Sequence, residues 1–223
     1  FNAKCDVVIE GQTLRHADAL IMAVKTYDTD AVLATLSNLQ PASAFSVQNG
    51  MLKNRQLAEA FGADAVLGAV GHIGGQVLGA GSGTAAPVRY TLDGATIVGE
   101  LNGGHSKRAQ AIVDSLMRAG LVAEHSQQIS TAEWSKFVGW SGFSALAILT
   151  RLPTYKFLSD PDTAVLAARV MRETGSLARH LGIELQDSGA LKAASVTTGS
   201  EEDGVQAVLA SGAMLEEMAP SLR

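Results

Sequence analysis

A single cysteine, Cys5, is all the thiol chemistry in the sequence, so no disulfide can form within the chain. That usage suits a reducing compartment, and a cytoplasmic location is the expectation. Long apolar runs are missing as well. Ala19 to Val24 is wholly apolar but far short of the ~20 residues that a bilayer span needs. The opening residues, Phe1 to Asp6, contain no apolar signal-peptide core. The chain therefore reads as soluble, with no membrane partner. Basic clusters are absent too: 17 Lys and Arg stand against 22 Asp and Glu, a formal charge of −5. No nucleic acid is expected as a partner. The densest acidic stretch, Glu201-Glu202-Asp203, is too short for an interaction tail and better suited to opening a helix, where it meets the positive end of the dipole. His16, His105, His125 and His180 lack metal-ligand spacing, and no metal is expected. His72 falls in a strand candidate, where a satisfied sheet histidine is the ordinary reading.

What the 223 residues do contain is enough apolar material, 47%, for a core, and enough length for two modest domains. Up to about residue 128, strand and helix signals alternate. The run Ala19–Val24 reads as a strand buried on both faces. Asp28 or Thr29 can cap a following helix bearing Val32, Leu33, Leu36 and Leu39. Ala42 to Val47 is the next strand, and a helix over about Leu52 to Phe61 follows the turn Asn49-Gly50. Two such units imply a parallel sheet with right-handed crossovers. A glycine-rich region follows, with strands expected at 66–78, 86–92 and 95–100, then an amphipathic helix over His105 to Leu121.

The second half reads as helical. Ser130-Thr131-Ala132-Glu133 has capping-box spacing, so a helix should start there and run towards Pro153. Asp160-Pro161 opens another, ending at Gly182, with Leu166, Val170, Leu177 and Leu181 as its expected buried stripe and Glu173 between them facing inward. Further helices should occupy about 187–196 and 201–218. The fold class is thus α/β: a Rossmann-like parallel sheet domain, incomplete, over 1–128, followed by an all-helical domain over 129–223.

Ligands of open parallel sheets bind beyond the carboxyl ends of the strands. Lys25 and Gln48-Asn49-Gly50 sit at two such ends, which would bring Lys25 and Asn49 to one rim. A plain turn and a solvated strand end explain the same residues. Lys136 lies inside the capped helix among Trp134, Phe137, Trp140 and Phe143. Partial desolvation there would lower its pKa and suit it to proton transfer. A lysine snorkelling over aromatics to reach water is the structural alternative. Gly139 and Gly142 interrupt that helix at about 1 kcal/mol each relative to Ala, which suggests close approach by another helix or by a ligand.

Ala23-Val24-Lys25-Thr26-Tyr27-Asp28-Thr29, Val47-Gln48-Asn49-Gly50 and Trp134-Ser135-Lys136 resemble ketopantoate reductases in order, spacing and context. Val66-Leu67-Gly68 to His72 and Ile97-Val98-Gly99-Glu100 add weaker support. The resemblance covers essentially the whole chain. It implies NADP-dependent reduction of a 2-oxo acid, by default 2-dehydropantoate to pantoate in pantothenate biosynthesis, with a homodimer as the expected assembly. It implies that Lys25 and Asn49 contact the cofactor and that Lys136 is the general acid. Where the family has asparagines four and eight residues beyond the lysine, this sequence has Trp140 and Ser144, the implied substrate contacts. The indole cannot imitate a carboxamide, which points to a related branched 2-oxo acid. The glycine-rich phosphate loop G-x-G-x-x-G occurs nowhere between a strand and a helix; Gly74-Gly75 and Gly79 to Gly83 lie in another context. The resemblance places that loop before Phe1, and a substrate-binding serine and ribose-binding glutamate after Arg223. The natural chain is therefore expected to extend beyond both ends. Two other readings remain: another dehydrogenase of the same plan, of opine or 6-phosphogluconate type, and a non-catalytic dinucleotide-binding or dimerising relative.

Overall fold

A computed structural model of the chain describes residue 6, residues 14–78 and residues 88–218. Cys5 and the glycines from Gly79 to Gly83 lie outside the described residues. The two strand–helix units form as the apolar runs require. Strands β1 (His16–Ala17) and β2 (Leu20–Met22) lead through helix α1 (Thr29–Thr35) to β3 (Gln40–Pro41) and β4 (Ala44–Ser46). β1 pairs in parallel with β3, and β2 with β4, Leu20 opposite Ala44 and Met22 opposite Ser46. Helix α2 (Lys53–Phe61) follows, and one parallel bridge, Ala44 to Val66, joins β4 to the next strand. Burial of β2 on both faces does not hold: Met22 is buried, whereas Ile21 is exposed and lines a cleft.

The glycine-rich region forms an antiparallel pair, β5 (Leu67–Val77) and β6 (Val88–Glu100). The separate strands expected at 86–92 and 95–100 are one strand, β6, bent by register shifts opposite Gly71–Ile73 and Gly74–Gly75. Gly94 lets the bend close, since a Cβ there would lie 2.4 Å from the His72 carbonyl oxygen. Helix α3 (Lys107–Arg118), capped by Ser106 Oγ, returns the chain to β7 (Ala123–His125), parallel to β6. Phe45, Leu67, Ala69 and Val98 of the strands pack with Ala109 and Val113 of α3 in one core. Met22, Leu57 and Val66 form a second, with Val32 and Leu33 of α1 packed against it.

The helical region comprises α4 (Ile129–Thr150), α5 (Thr154–Leu158), α6 (Pro161–His180), α7 (Ala193–Thr197) and α8 (Glu201–Met218). Asp160 caps α6 through its carboxylate, with Pro161 at the first position and Gly182 at positive φ just past the end. Among the described residues no helix is long and apolar enough to cross a membrane. Two expectations fail here. Helix α4 has no capping box: it starts at Ile129 without a side-chain cap, and Ser130 Oγ instead reaches the Leu101 carbonyl. Glu133 is buried and bound elsewhere. The buried face of α6 is also not the leucine stripe. Ala164, Ala167, Ala168, Met171, Gly175 and Ala178 are buried, while Leu166, Leu177, Leu181 and Glu173 are exposed. Helices α4 and α6 approach too closely for large side chains, since a Cβ on Gly142 would lie 2.9 Å from the Ala167 carbonyl oxygen.

Candidate functional site

Because β2 and β4 run in parallel and in register, the segments that follow them leave the same end of the sheet. Gln48 ties the two together: its Nε2 donates to the Val24 carbonyl at 2.7 Å and to Thr29 Oγ1 at 2.8 Å. Lys25 and Asn49 thus share one rim. Lys25 is exposed there, whereas Asn49 turns towards α4 and its Oδ1 accepts from Lys136 Nζ at 2.9 Å.

Beyond the Ala44–Val66 bridge, the edge of β5 facing away from β6 is satisfied by side chains rather than by a strand. Ala69 N–H donates to Glu133 Oε1 at 3.2 Å, and the Ala69 carbonyl accepts from Lys53 Nζ at 2.7 Å. Two residues on, the Gly71 carbonyl accepts from Lys136 Nζ at 2.6 Å. Alternate carbonyls of a strand point the same way, so the two ammonium groups sit side by side on this edge. Lys53 and Glu133 form a buried ion pair at 2.5 Å, the carboxylate also accepting from Asn54 Nδ2. Lys53 has a third partner in the Ser46 carbonyl at 3.1 Å. All three ammonium protons of Lys53 are therefore engaged. Lys136 has two partners, Asn49 and Gly71, which leaves one proton for another acceptor.

Burial lowers the Lys136 pKa, and the nearby positive charge of Lys53 lowers it further. His72, next to Gly71, is likewise pushed down by burial and then by the Lys136 charge, so it is neutral near pH 7. Its Nε2 is buried with no hydrogen-bond partner.

Past Lys136, the α4 face is apolar. Trp140 is 45% exposed, and its ring lies 6.4 Å from that of Phe143. Both line a cleft with a cavity volume of about 1190 Å³, together with Asn49, His72 and Lys136. Ser144 is turned away: its Oγ donates to the Trp140 carbonyl at 2.7 Å, and it does not line the cleft. The room left by the two helix glycines is taken by protein. A Cβ on Gly139 would meet Leu191 at 3.0 Å, and one on Gly142 would meet Met171 at 2.8 Å.

Sequence reasoning passed over Lys53 and Asn54 and read Glu133 only as part of a capping box. One signal was available: Lys53 occupies the first turn of α2, where the helix dipole disfavours a cation unless a carboxylate offsets it. The bend that sets His72 beside the cleft had no signal in a run of small residues. No cluster of three or more His, Cys, Asp or Glu among the described residues could hold a metal ion.

Two sequence models of one family match the chain. Ketopantoate reductase PanE/ApbA matches residues 1–103, and Ketopantoate reductase PanE/ApbA C terminal matches residues 128–222. A curated 2-dehydropantoate 2-reductase from Archaeoglobus fulgidus is 28% identical over 82% of this chain, which spans 60% of that protein's length. Among solved structures, a D-mandelate dehydrogenase with NADH and anilino(oxo)acetate aligns with a TM-score of 0.70 and 17% identity, covering 94% of this chain and 61% of that one. A dimeric ketopantoate reductase from Staphylococcus aureus aligns with a TM-score of 0.63 and 19% identity, covering 89% and 59%.

Proposed function

The chain belongs to the ketopantoate reductase family, and from that membership we propose that it reduces a 2-oxo acid to the 2-hydroxy acid with Lys136 as general acid. The cofactor is a reduced nicotinamide dinucleotide, NADPH by the resemblance of the sequence. Residues 1–128 form the dinucleotide-binding part, and residues 129–223 the helical substrate and dimerisation part. The default substrate is 2-dehydropantoate, after the name of the curated relative. A homodimer is the proposed assembly, as in the Staphylococcus aureus neighbour.

The observation that carries this reading is the contrast between the two lysines. Lys53 is saturated by Ser46, Ala69 and Glu133, whereas Lys136 keeps one proton uncommitted beside the cleft. Asn49 and Gly71 fix the ammonium, so its free N–H can meet the carbonyl oxygen of an oxo acid without reorganisation. Its lowered pKa brings proton donation closer to balance at neutral pH. The rim at Lys25 and Asn49 and the apolar wall of Ile21, Phe45 and Val47 suit the nicotinamide end of a dinucleotide. When bound, the reduced nicotinamide supplies the hydride. As C2 accepts that hydride, the carbonyl π electrons move to oxygen, and Lys136 stabilises the alkoxide and delivers its proton. The products are the 2-hydroxy acid and the oxidised dinucleotide, and solvent reloads the amine.

In the whole protein, Lys136→Ala should lower kcat by about 10²-fold or more while the cofactor dissociation constant stays near wild type. An unchanged kcat would remove Lys136 from the chemistry.

A further inference from the structure

Helix α6 is apolar on two sides, and its outer side is arranged to meet a copy of itself. We infer that this outer face is the surface on which two copies of the chain pair, antiparallel across a two-fold axis. The inference deepens the homodimer reading above, on which it rests. The inner side of α6 packs Ala164, Ala167, Ala168, Met171, Gly175 and Ala178 into the helical region. The outer side carries Leu166, Val170, Leu177 and Leu181, and its three leucines are 48%, 56% and 61% exposed. Exposed leucines scattered singly need no explanation. These are not scattered: steps of four, seven and four residues set the four side chains in one row along a 3.6-residue helix. A helix apolar on opposite faces belongs between two layers, and the described residues supply only one of them.

The order of that row selects the occupant. Its spacing reads the same from either end, so in an antiparallel pair Leu166 meets the partner's Leu181, and Val170 meets the partner's Leu177. A two-fold interface demands this self-complementarity, whereas an unrelated partner would impose no symmetry on the row. The charges agree. The first turn of α6 carries Asp162, and the last carries Arg179 and His180. Antiparallel docking sets the acidic end of each helix beside the basic end of the other, while parallel docking would bring like charges together at both ends. Glu173 falls beside the axis, near its own counterpart, and is the one group in the row that opposes association. None of these α6 residues lines the cleft at Lys136, so pairing leaves each subunit its own chemistry.

The test follows the mass of the whole protein by light scattering through a dilution series. Wild type is expected at twice the chain mass. Leu177→Glu, at an exposed position, should leave the far-UV circular dichroism unchanged. It should raise the dimer dissociation constant at least about 100-fold, because the two-fold axis places the added charge in the interface twice. Glu173→Gln should lower that constant. With the native cysteines replaced by serine, Glu173→Cys should cross-link two copies on mild oxidation. Leu166→Cys should not, since its counterpart lies about 22 Å along the helix at 1.5 Å per residue. A wild type of single-chain mass at every concentration overturns the inference and the homodimer reading together. A dimer whose dissociation constant neither Leu177→Glu nor Glu173→Gln moves overturns the inference alone, and so does a cross-link through Leu166→Cys. The reductase reading stands apart from all of these outcomes, because Lys136→Ala tests it separately.

Discussion

Lys53 and Lys136 hold alternate carbonyls of the same strand, Ala69 O at 2.7 Å and Gly71 O at 2.6 Å, yet only Lys53 has a carboxylate partner. Glu133 stands one helical turn before Lys136, so a single ion pair anchors the start of α4 to α2 and β5 and sets the position of the free lysine. The pair is nearly inaccessible to solvent, and removing one partner leaves the other as an uncompensated buried charge. Glu133→Gln should therefore cost about 3–5 kcal/mol in chemical denaturation. Lys53→Met should cost less, because Asn54 and the Ala69 amide still bond the carboxylate. The double variant should recover part of the loss. A Glu133→Gln penalty below about 1 kcal/mol would mean that the pair does not anchor the helix.

The lysine pair also makes a pH prediction. The proposed general acid must be protonated to act, so with Lys136 in that role activity should fall as pH rises through its pKa. Burial and Lys53 both depress that pKa, which draws the alkaline limb of kcat/KM below the ordinary lysine range. Lys53→Met removes a positive charge and leaves Glu133 unneutralised; both changes favour the ammonium form. The limb should move to higher pH, and a limb that stays in place would separate Lys53 from the titration of Lys136.

Gly142→Ala sets two effects against each other. Alanine gains about 1 kcal/mol in helix propensity. Its Cβ would lie 2.8 Å from Met171 Cγ and 2.9 Å from the Ala167 carbonyl oxygen, and that backbone atom can move only with α6. Overpacking of this kind costs about 1–3 kcal/mol, so the variant should melt a few degrees below wild type. A higher Tm would show that the α4–α6 contact has slack.

Arg108 donates to both carboxylate oxygens of Glu100, at 2.7 and 2.6 Å, and to the Asp64 carbonyl. The Arg108 hydrogen bonds hold the Glu100 pKa below the usual carboxylate range. A depressed carboxylate contributes stability above its unfolded pKa and loses it as pH falls through the folded value. Arg108→Ala should lower Tm modestly at neutral pH and bring the two Tm curves together in acid. Parallel curves from neutral pH down through the carboxylate range would exclude this linkage.

Sequence patterns read well where one segment supplies its own cause. The Asp160-Pro161 start of α6 and its Gly182 end are local capping chemistry. The apolar runs over β2 and β4 and the helix between them gave the parallel pairing. Reading failed where a local pattern was shared by two uses. Ser130 and Glu133 have the spacing of a capping box, but a buried cation from another segment claims the carboxylate. In α6, residue size favoured the leucines for burial, and Glu173 on the same stripe was expected to face inward with them, yet it is exposed. Small residues were buried because the facing helix comes close enough to exclude anything larger.

The sequence by itself determined the α/β order of elements, the shared rim of Lys25 and Asn49, and the presence of a lysine on an aromatic helix face, because periodicity, caps and apolar runs act within about a dozen residues. Tertiary structure alone decided which of the two lysines keeps an uncommitted proton. Lys53 and Lys136 are the same side chain with the same intrinsic pKa, and their difference lies in partners brought from far along the chain. Glu133 comes from 80 residues away to saturate Lys53, and Asn49 from 87 residues away to hold Lys136 while leaving it a proton to give. Hydrogen-bond saturation and desolvation depend on what surrounds an atom in space, and neither is written in the residues next to it.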